Sequence, residues 1–210
     1  MAQAYSINVS GVREVLFAGR IVTTGIYKQS VLGEVSVGKL GVAGDAQADL
    51  TVHGGLEKAV YFYPREHYPV WEQILKSSDL PPGSFGENIT SEGITESELY
   101  VGDVLQIGTV TLQVLQPRSP CYKLQLKFSR ADMVAQFVRL GRPGWYASVL
   151  QPGQFSAGDS IKVVSKAPER ITISEIWRYS LGSDPDAETL DRIMHLNLLP
   201  QFWKDRIGRA

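Results

Sequence analysis

"LYVGDVLQIGTVTLQVLQPRSPCYKL" (residues 99–124) is the stretch on which the fold reading turns. Ile107 and Val110 flank a tight Gly108-Thr109 connection between two runs that alternate at the strand period, so the sequence predicts an antiparallel hairpin here. Pro117 cannot donate to a ladder and closes the second strand. At that strand end stand Arg118, Pro120, Cys121 and Lys123, a rigid turn carrying chemically useful side chains. Working outward, "REVLFAGRIVTTGIY" (13–27), "GEVSVGKLGV" (33–42), "KAVYFYP" (58–64) and "GDSIKVVS" (158–165) are rich in β-branched and aromatic residues and punctuated by glycine. Helices are fewer. "PREHYPVWEQILKSS" (64–78) predicts a short helix interrupted or begun at Pro69, and "SRADMVAQFVRLG" (129–141) one capped by Ser129 and closed by Gly141. Many short strands with peripheral helices predict a mainly β protein with a β-barrel core.

The character of the sequence changes after Pro168. Residues 1–168 form the expected barrel domain, and residues 169–210 a C-terminal three-helix domain. Thr172 with Glu175 three positions later is a capping box in outline. Leu190, Ile193, Leu196 and Leu198 give an apolar face there, with Trp177, Tyr179, Phe202 and Trp203 completing a small core that His195 faces as a structural residue. So short a segment buries too little surface to stand alone, so it is expected to pack on the barrel or on a partner.

Of the 210 residues, 43% are hydrophobic, enough for a core, and 21 basic residues balance 22 acidic ones. That balance gives no support to nucleic-acid binding, and any anion site must be local. One cysteine permits neither an intramolecular disulfide nor a CxxC redox pair. With no apolar run of membrane-spanning length, the expected setting is soluble, reducing and cytoplasmic, away from membranes.

Cys121 follows Arg118 and precedes Lys123, cations that favour a thiolate if their side chains face it; otherwise they are solvated charges and the cysteine a small buried apolar residue. "VHGGLEK" (52–58) places His53 before a glycine pair, where backbone can approach a ligand closely, and supplies Lys58. The three histidines have no zinc-ligand spacing. "GVAGDAQAD" (41–49) offers Asp45 and Asp49, which match no calcium loop and read as turn residues. No serine has a nucleophile-elbow context. "SFGENIT" (84–90) packs Gly86, Glu87 and Asn88 between a proline-rich turn and a strand.

Taken in order, "TGIYK", "GDAQADLTVHGGLEKAVYFYP", "SFGENIT", "VGDVLQIG" and "QPRSPCYKL" closely resemble the MOSC domain proteins of the YiiM type, over almost the whole chain including the last three helices. The resemblance implies a β-barrel that binds the molybdenum cofactor, a pterin dithiolene bearing a phosphate. It implies Cys121 as the sulfur ligand to molybdenum and as the catalytic residue. Lys28, His53, Lys58, Asn88 and Arg118 match motif positions lining the cofactor pocket, with Arg118, Lys28 and Lys58 toward the phosphate and Asn88 toward the pterin. The implied reaction is two-electron reduction of an N-hydroxylated substrate, of the hydroxylaminopurine kind, to the amine. With no flavin or iron–sulfur motif in the chain, electrons come from a separate reductase, such as a flavoprotein. Two rival readings are a sulfur carrier holding a persulfide on Cys121 and a non-catalytic cofactor-binding module.

Overall fold

The computed structural model describes residues 1–48, 54–183 and 185–209. In chain order the strands and helices are β1 (Gln3–Val9), β2 (Arg13–Phe17), β3 (Arg20–Thr24), β4 (Gln29–Ser30), β5 (Val35–Gly38), β6 (Gly41–Val42), β7 (Val60–Pro64), α1 (Tyr68–Leu75), β8 (Ile89–Glu92), β9 (Val104–Ile107), β10 (Val110–Pro117), α2 (Lys123–Phe128), α3 (Met133–Leu140), β11 (Trp145–Gln151), β12 (Gly153–Phe155), β13 (Lys162–Ser165), α4 (Ile173–Tyr179), α5 (Ala187–His195) and α6 (Gln201–Ile207).

The hairpin expected around Gly108-Thr109 is β9–β10, with Val110 opposite Ile107. It belongs to an eight-stranded sheet of order β13-β9-β10-β11-β7-β8-β1-β4, in which β7–β8 is a parallel pair and the other neighbours are antiparallel. No ladder joins β13 to β4 among the described residues. The two ends of the sheet approach through β1: Gln3 bridges Ser160, and the Ala4 and Ile161 amides donate to the Asp159 and Ala2 carbonyls at 2.9 Å each. The architecture is a mixed, sheet-dominated fold with several helices, and a continuous closed barrel is not what its ladders describe. Alternation in a sequence tells which faces are buried; whether sheet edges pair depends on remote registers that it does not encode.

β7 divides the interior. All five of its residues are buried, because successive side chains point to opposite faces and each face has its own core. Val60 and Phe62 enter the larger core with Leu105, Leu112, Val114 and Trp145, where the Phe62 and Trp145 rings stack at 5.2 Å. Tyr61 and Tyr63 face a second, aromatic core with Tyr68, Trp71, Phe85 and Phe137, in which Trp71 Nε1 donates to the Tyr63 hydroxyl at 2.6 Å. The β2–β3 hairpin lays Val15, Phe17 and Val22 on this second core.

Pro69 sits in the first turn of α1, as its missing N–H allows. Ser129 does not cap α3; it closes α2 in the left-handed conformation at φ 51, and α3 starts only after Asp132. α2 went unread because "KLQLKF" alternates with a period of two, the pattern of a strand. Gly141 ends α3 as expected. The Thr172–Glu175 capping box is formed in both directions.

The C-terminal helices share the larger core with the sheet: Ile173, Ile176, Trp177, Ile193 and Trp203 lie in one cluster with the strand residues. Trp203 Nε1 donates to the buried Gln116 Oε1 of β10 at 2.9 Å. Three details differ from expectation. Leu198 and Phe202 are 42% and 54% exposed while Leu199 and Ile207 are buried, and His195 points to solvent, its Nδ1 2.8 Å from the Asp191 carbonyl. A turn after α5 shifts the apolar face by one position, which helical spacing in the sequence does not anticipate. Trp203→Ala should cost about 3–5 kcal/mol, since it opens a cavity and strips Gln116 of its donor; urea unfolding followed by far-UV circular dichroism measures the loss.

Candidate functional site

Five of the six residues singled out from the sequence line one cleft: Lys28, Lys58, Asn88, Arg118 and Cys121. The sixth, His53, falls outside the described residues. The cleft is open, holding about 560 Å³ of space with the solvent at its mouth included. Tyr61 of β7 and Tyr146 of β11 also face it, with ring centroids 5.0 Å apart.

Asp45, read from sequence as a turn residue, organises one wall. Its carboxylate pairs with the Lys28 ammonium, accepts the Ser10 amide at 3.0 Å and accepts Asn88 Nδ2 at 2.8 Å. Both members of the Lys28–Asp45 pair are buried, with side chains 8% and 6% exposed. Burial lowers the Lys28 pKa from its ordinary value, and the attraction and hydrogen bond of Asp45 oppose that shift. Asn88 is held from a second side: its Oδ1 accepts the Tyr61 amide at 3.1 Å, and its own amide donates to the Tyr61 carbonyl at 2.8 Å. Its side chain therefore couples β7 to Asp45.

The "SFGENIT" stretch is built around Glu87, whose side chain is fully buried. Its carboxylate accepts the Tyr68 hydroxyl, the Gly83 and Phe85 amides at 2.8 and 3.0 Å, and the Thr90 hydroxyl at 2.8 Å. Gly86 takes φ 80, and a Cβ there would lie 3.0 Å from Ile26 Cγ1, so glycine is required both for the turn and for the close passage of the 24–28 stretch. That carboxylate is a structural anchor, a role visible only once its donors, remote in sequence, are placed around it.

Among the described residues four cationic side chains, Lys28, Lys58, Arg118 and Lys123, line the cleft against one carboxylate, Asp45. Arg118 is buried between aromatic rings, its guanidinium 4.8 Å from the Tyr61 centroid and 5.5 Å from that of Phe137. Its Nη1 donates to the Phe85 carbonyl at 2.5 Å and the Tyr61 hydroxyl at 3.3 Å. Tyr61 in turn donates to the Pro143 carbonyl at 2.9 Å, and burial pushes its pKa well above the usual tyrosine range. Burial also lowers the Lys58 pKa, with Glu57 opposing. Behind the lining, Lys127 donates to the Ile26 and Gly83 carbonyls at 3.1 and 2.8 Å. Its pKa falls to about 8, first through burial, then through the like charges of Arg118, Lys28 and Arg13, with Glu87 opposing. Cys121 is half-buried at this cationic cleft.

The sequence reading missed Asp45, Tyr61, Tyr146 and Lys127 as parts of this site, and it named Lys123 only as a neighbour of the thiol. Among the described residues no group of three or more His, Cys, Asp or Glu stands where it could hold a metal ion, and no helix is long and apolar enough to cross a membrane.

A half-buried thiol in an open cleft rimmed with cations, on a sheet-dominated scaffold, has the chemistry to take an anionic ligand with a soft-donor contact. The family model described as the MOSC domain matches residues 49–162. Protein YiiM of Escherichia coli (strain K12) is 37% identical over 180 residues, spanning 85% of this chain and 80% of YiiM. The crystal structure of YiiM from Geobacillus stearothermophilus matches with a TM-score of 0.82 at 31% identity, covering 100% of this chain and 98% of the other. A protein named Reductase from Gibberella moniliformis (strain M3125 / FGSC 7600) is 33% identical over 168 residues, 76% of this chain but 29% of that longer protein. The chain belongs to the MOSC domain family, whose domains are generally associated with molybdenum cofactor binding.

Two outcomes test the geometry. Asp45→Asn removes one charge of a buried pair and should destabilise the protein by about 3–5 kcal/mol in denaturant unfolding. Lys127 has a folded pKa of about 8 against an ordinary 10.5, so between those values the unfolded chain holds more protons and stability rises with pH. Below about pH 8 both states are protonated and the full cost of the buried charge remains. Lys127→Met should remove this rise, seen as a smaller gain in urea midpoint between pH 8 and pH 10 than the parent shows.

Proposed function

We propose that the protein is a molybdenum cofactor-dependent reductase that converts N-hydroxylated compounds, of the hydroxylaminopurine kind, to the corresponding amines, with electrons delivered by a separate reductase such as a flavoprotein. The observation that carries the reading is Cys121 at a cation-lined cleft in a MOSC chain. The reductase-named relative supports the same reaction type.

The residues fit the group. Described side chains make no multi-ligand metal site of their own, so a metal here would arrive with its own sulfur ligands and need little more than one soft donor, which Cys121 supplies. The excess of cations suits a phosphate-bearing ligand. When bound, the cofactor would supply the two-electron redox chemistry that side chains lack.

The chain's own residues would bind and orient. Cys121 Sγ would hold the metal, Arg118 and Lys58 would face the anionic part, and Tyr61 and Tyr146 would offer aromatic surface. Both phenols stay protonated because burial raises their pKa values, so they act as neutral hydrogen-bonding groups. Asn88 and Asp45 would keep the wall in register by the bonds already described. The net reaction consumes two electrons and two protons, breaks the N–O bond and releases water.

Cys121→Ser should abolish reduction while leaving the fold intact, because a hydroxyl is a poor substitute for a soft thiolate. Molybdenum and pterin content, circular dichroism and turnover with an artificial electron donor are measured on parent and variant. Full turnover in a metal-loaded Cys121→Ser protein would overturn the reading. Loaded parent protein that reduces no N-hydroxylated compound would leave a binding module, and molybdenum-free protein carrying a persulfide on Cys121 would leave a sulfur carrier.

A further inference from the structure

A neutral, flat substrate gains little from cations; it needs planar apolar surface within reach of the thiol. Tyr61, Tyr63, Phe85 and Phe137 are packed away in the second core, and Tyr61 is already committed to Arg118 and the Pro143 carbonyl. Tyr122 differs. It stands between Cys121 and Lys123, both of which line the cleft, yet its own side chain is 46% exposed.

The ring is not a loose surface residue. It stacks on Phe17 with centroids 6.0 Å apart and planes 28° from parallel, and Phe17 in turn packs on the second core. Both partners are fixed by backbone. Phe17 ends β2 opposite Arg20, across a two-residue connection in which Ala18 and Gly19 take φ 49 and 76, the left-handed pair that makes a tight, strongly defined hairpin turn. Tyr122 opens α2: its carbonyl accepts the Leu126 amide at 3.1 Å, and the Cys121 carbonyl accepts the Leu124 amide at 3.1 Å. The turn that presents the thiol therefore presents this ring as well. The β2–β3 hairpin runs on into Thr24, Gly25 and Ile26, which line the cleft, so the ring pair joins two of its walls at the rim.

We propose that Tyr122, backed by Phe17, is the stacking platform for the planar ring of the substrate, and that it selects flat heteroaromatic N-hydroxylated compounds over saturated ones. This rests on the reductase reading above. Stacking on an exposed aromatic ring requires no particular pattern of ring substituents, because every flat heterocycle has a π-face. The platform thus sets a preference for shape, and the N–O group is left to the chemistry beside Cys121.

The test uses cofactor-loaded protein and an artificial electron donor, with 6-N-hydroxylaminopurine as the flat substrate and N-cyclohexylhydroxylamine as the saturated one. Binding is followed separately with 2-aminopurine, a flat ring with no N–O bond to reduce, whose fluorescence falls on stacking. Tyr122→Leu should lower the ratio of the two kcat/KM values about tenfold or more, through a higher KM for the purine, and should abolish the quenching. Tyr122→Trp should restore both, and Tyr122→Met replaces the leucine variant should that one not fold. If the ring pair only fastens the hairpin to α2, Tyr122→Leu lowers the melting temperature and both kcat/KM values together, and the quenching persists; that result overturns the proposal. So does a parent protein that does not quench 2-aminopurine. Purine reduction by the parent with an unchanged ratio in Tyr122→Leu sinks the platform and sustains the reductase reading. Quenching that depends on Tyr122 in a loaded parent that reduces neither substrate does the reverse.

Discussion

The site hangs on one carboxylate. Asp45 gathers the Ser10 amide, the Lys28 ammonium and the Asn88 side chain, groups from three segments that no strand ladder joins at those positions. Asn88 passes the constraint to β7 through the Tyr61 amide, and Tyr61 passes it to Arg118 and to the Pro143 carbonyl ahead of β11. A buried network with every member bonded rigidifies what it connects, and its parts fail together.

The placement of charge follows from this frame. The chain as a whole is nearly neutral, at −1, so attraction for an anion cannot come from a broad surface field. It would have to come from a few cations beside the second, aromatic core, where partial burial lets each charge act more strongly than it would in solvent. Most of these cations are kept charged in that setting by carbonyls, carboxylates or ring faces. The fold thus meets the cost of burial residue by residue.

Much of this could be read in the sequence, for identifiable reasons. The β9–β10 hairpin, the α4 capping box and the Gly141 stop are local signals, settled by neighbours within a few positions. The clustering of Lys28, Lys58, Asn88, Arg118 and Cys121 came from motif order in a family resemblance, since periodicity alone brings together nothing so far apart. What escaped was non-local. Asp45 reads as a turn residue because its partners lie up to 43 positions away. Glu87 reads as a polar loop residue because its donors come from α1 and from backbone folded around it. α2 hid behind a strand-like alternation, and it carries both Lys123 and Lys127. The course of the sheet edges left no trace in composition at all.

The sheet order also has a temporal side. The cleft draws residues from Thr24 to Tyr146, and β1 meets the chain again only at Asp159 and Ser160. Contacts of such long sequence separation form late, after the loop-closure entropy has been overcome. During synthesis the Lys28–Asp45 pair has both its members while the thiol-bearing turn is still unmade, and the Tyr146 wall follows later still. Any ligand of this cleft would meet a chain already made at least as far as Tyr146.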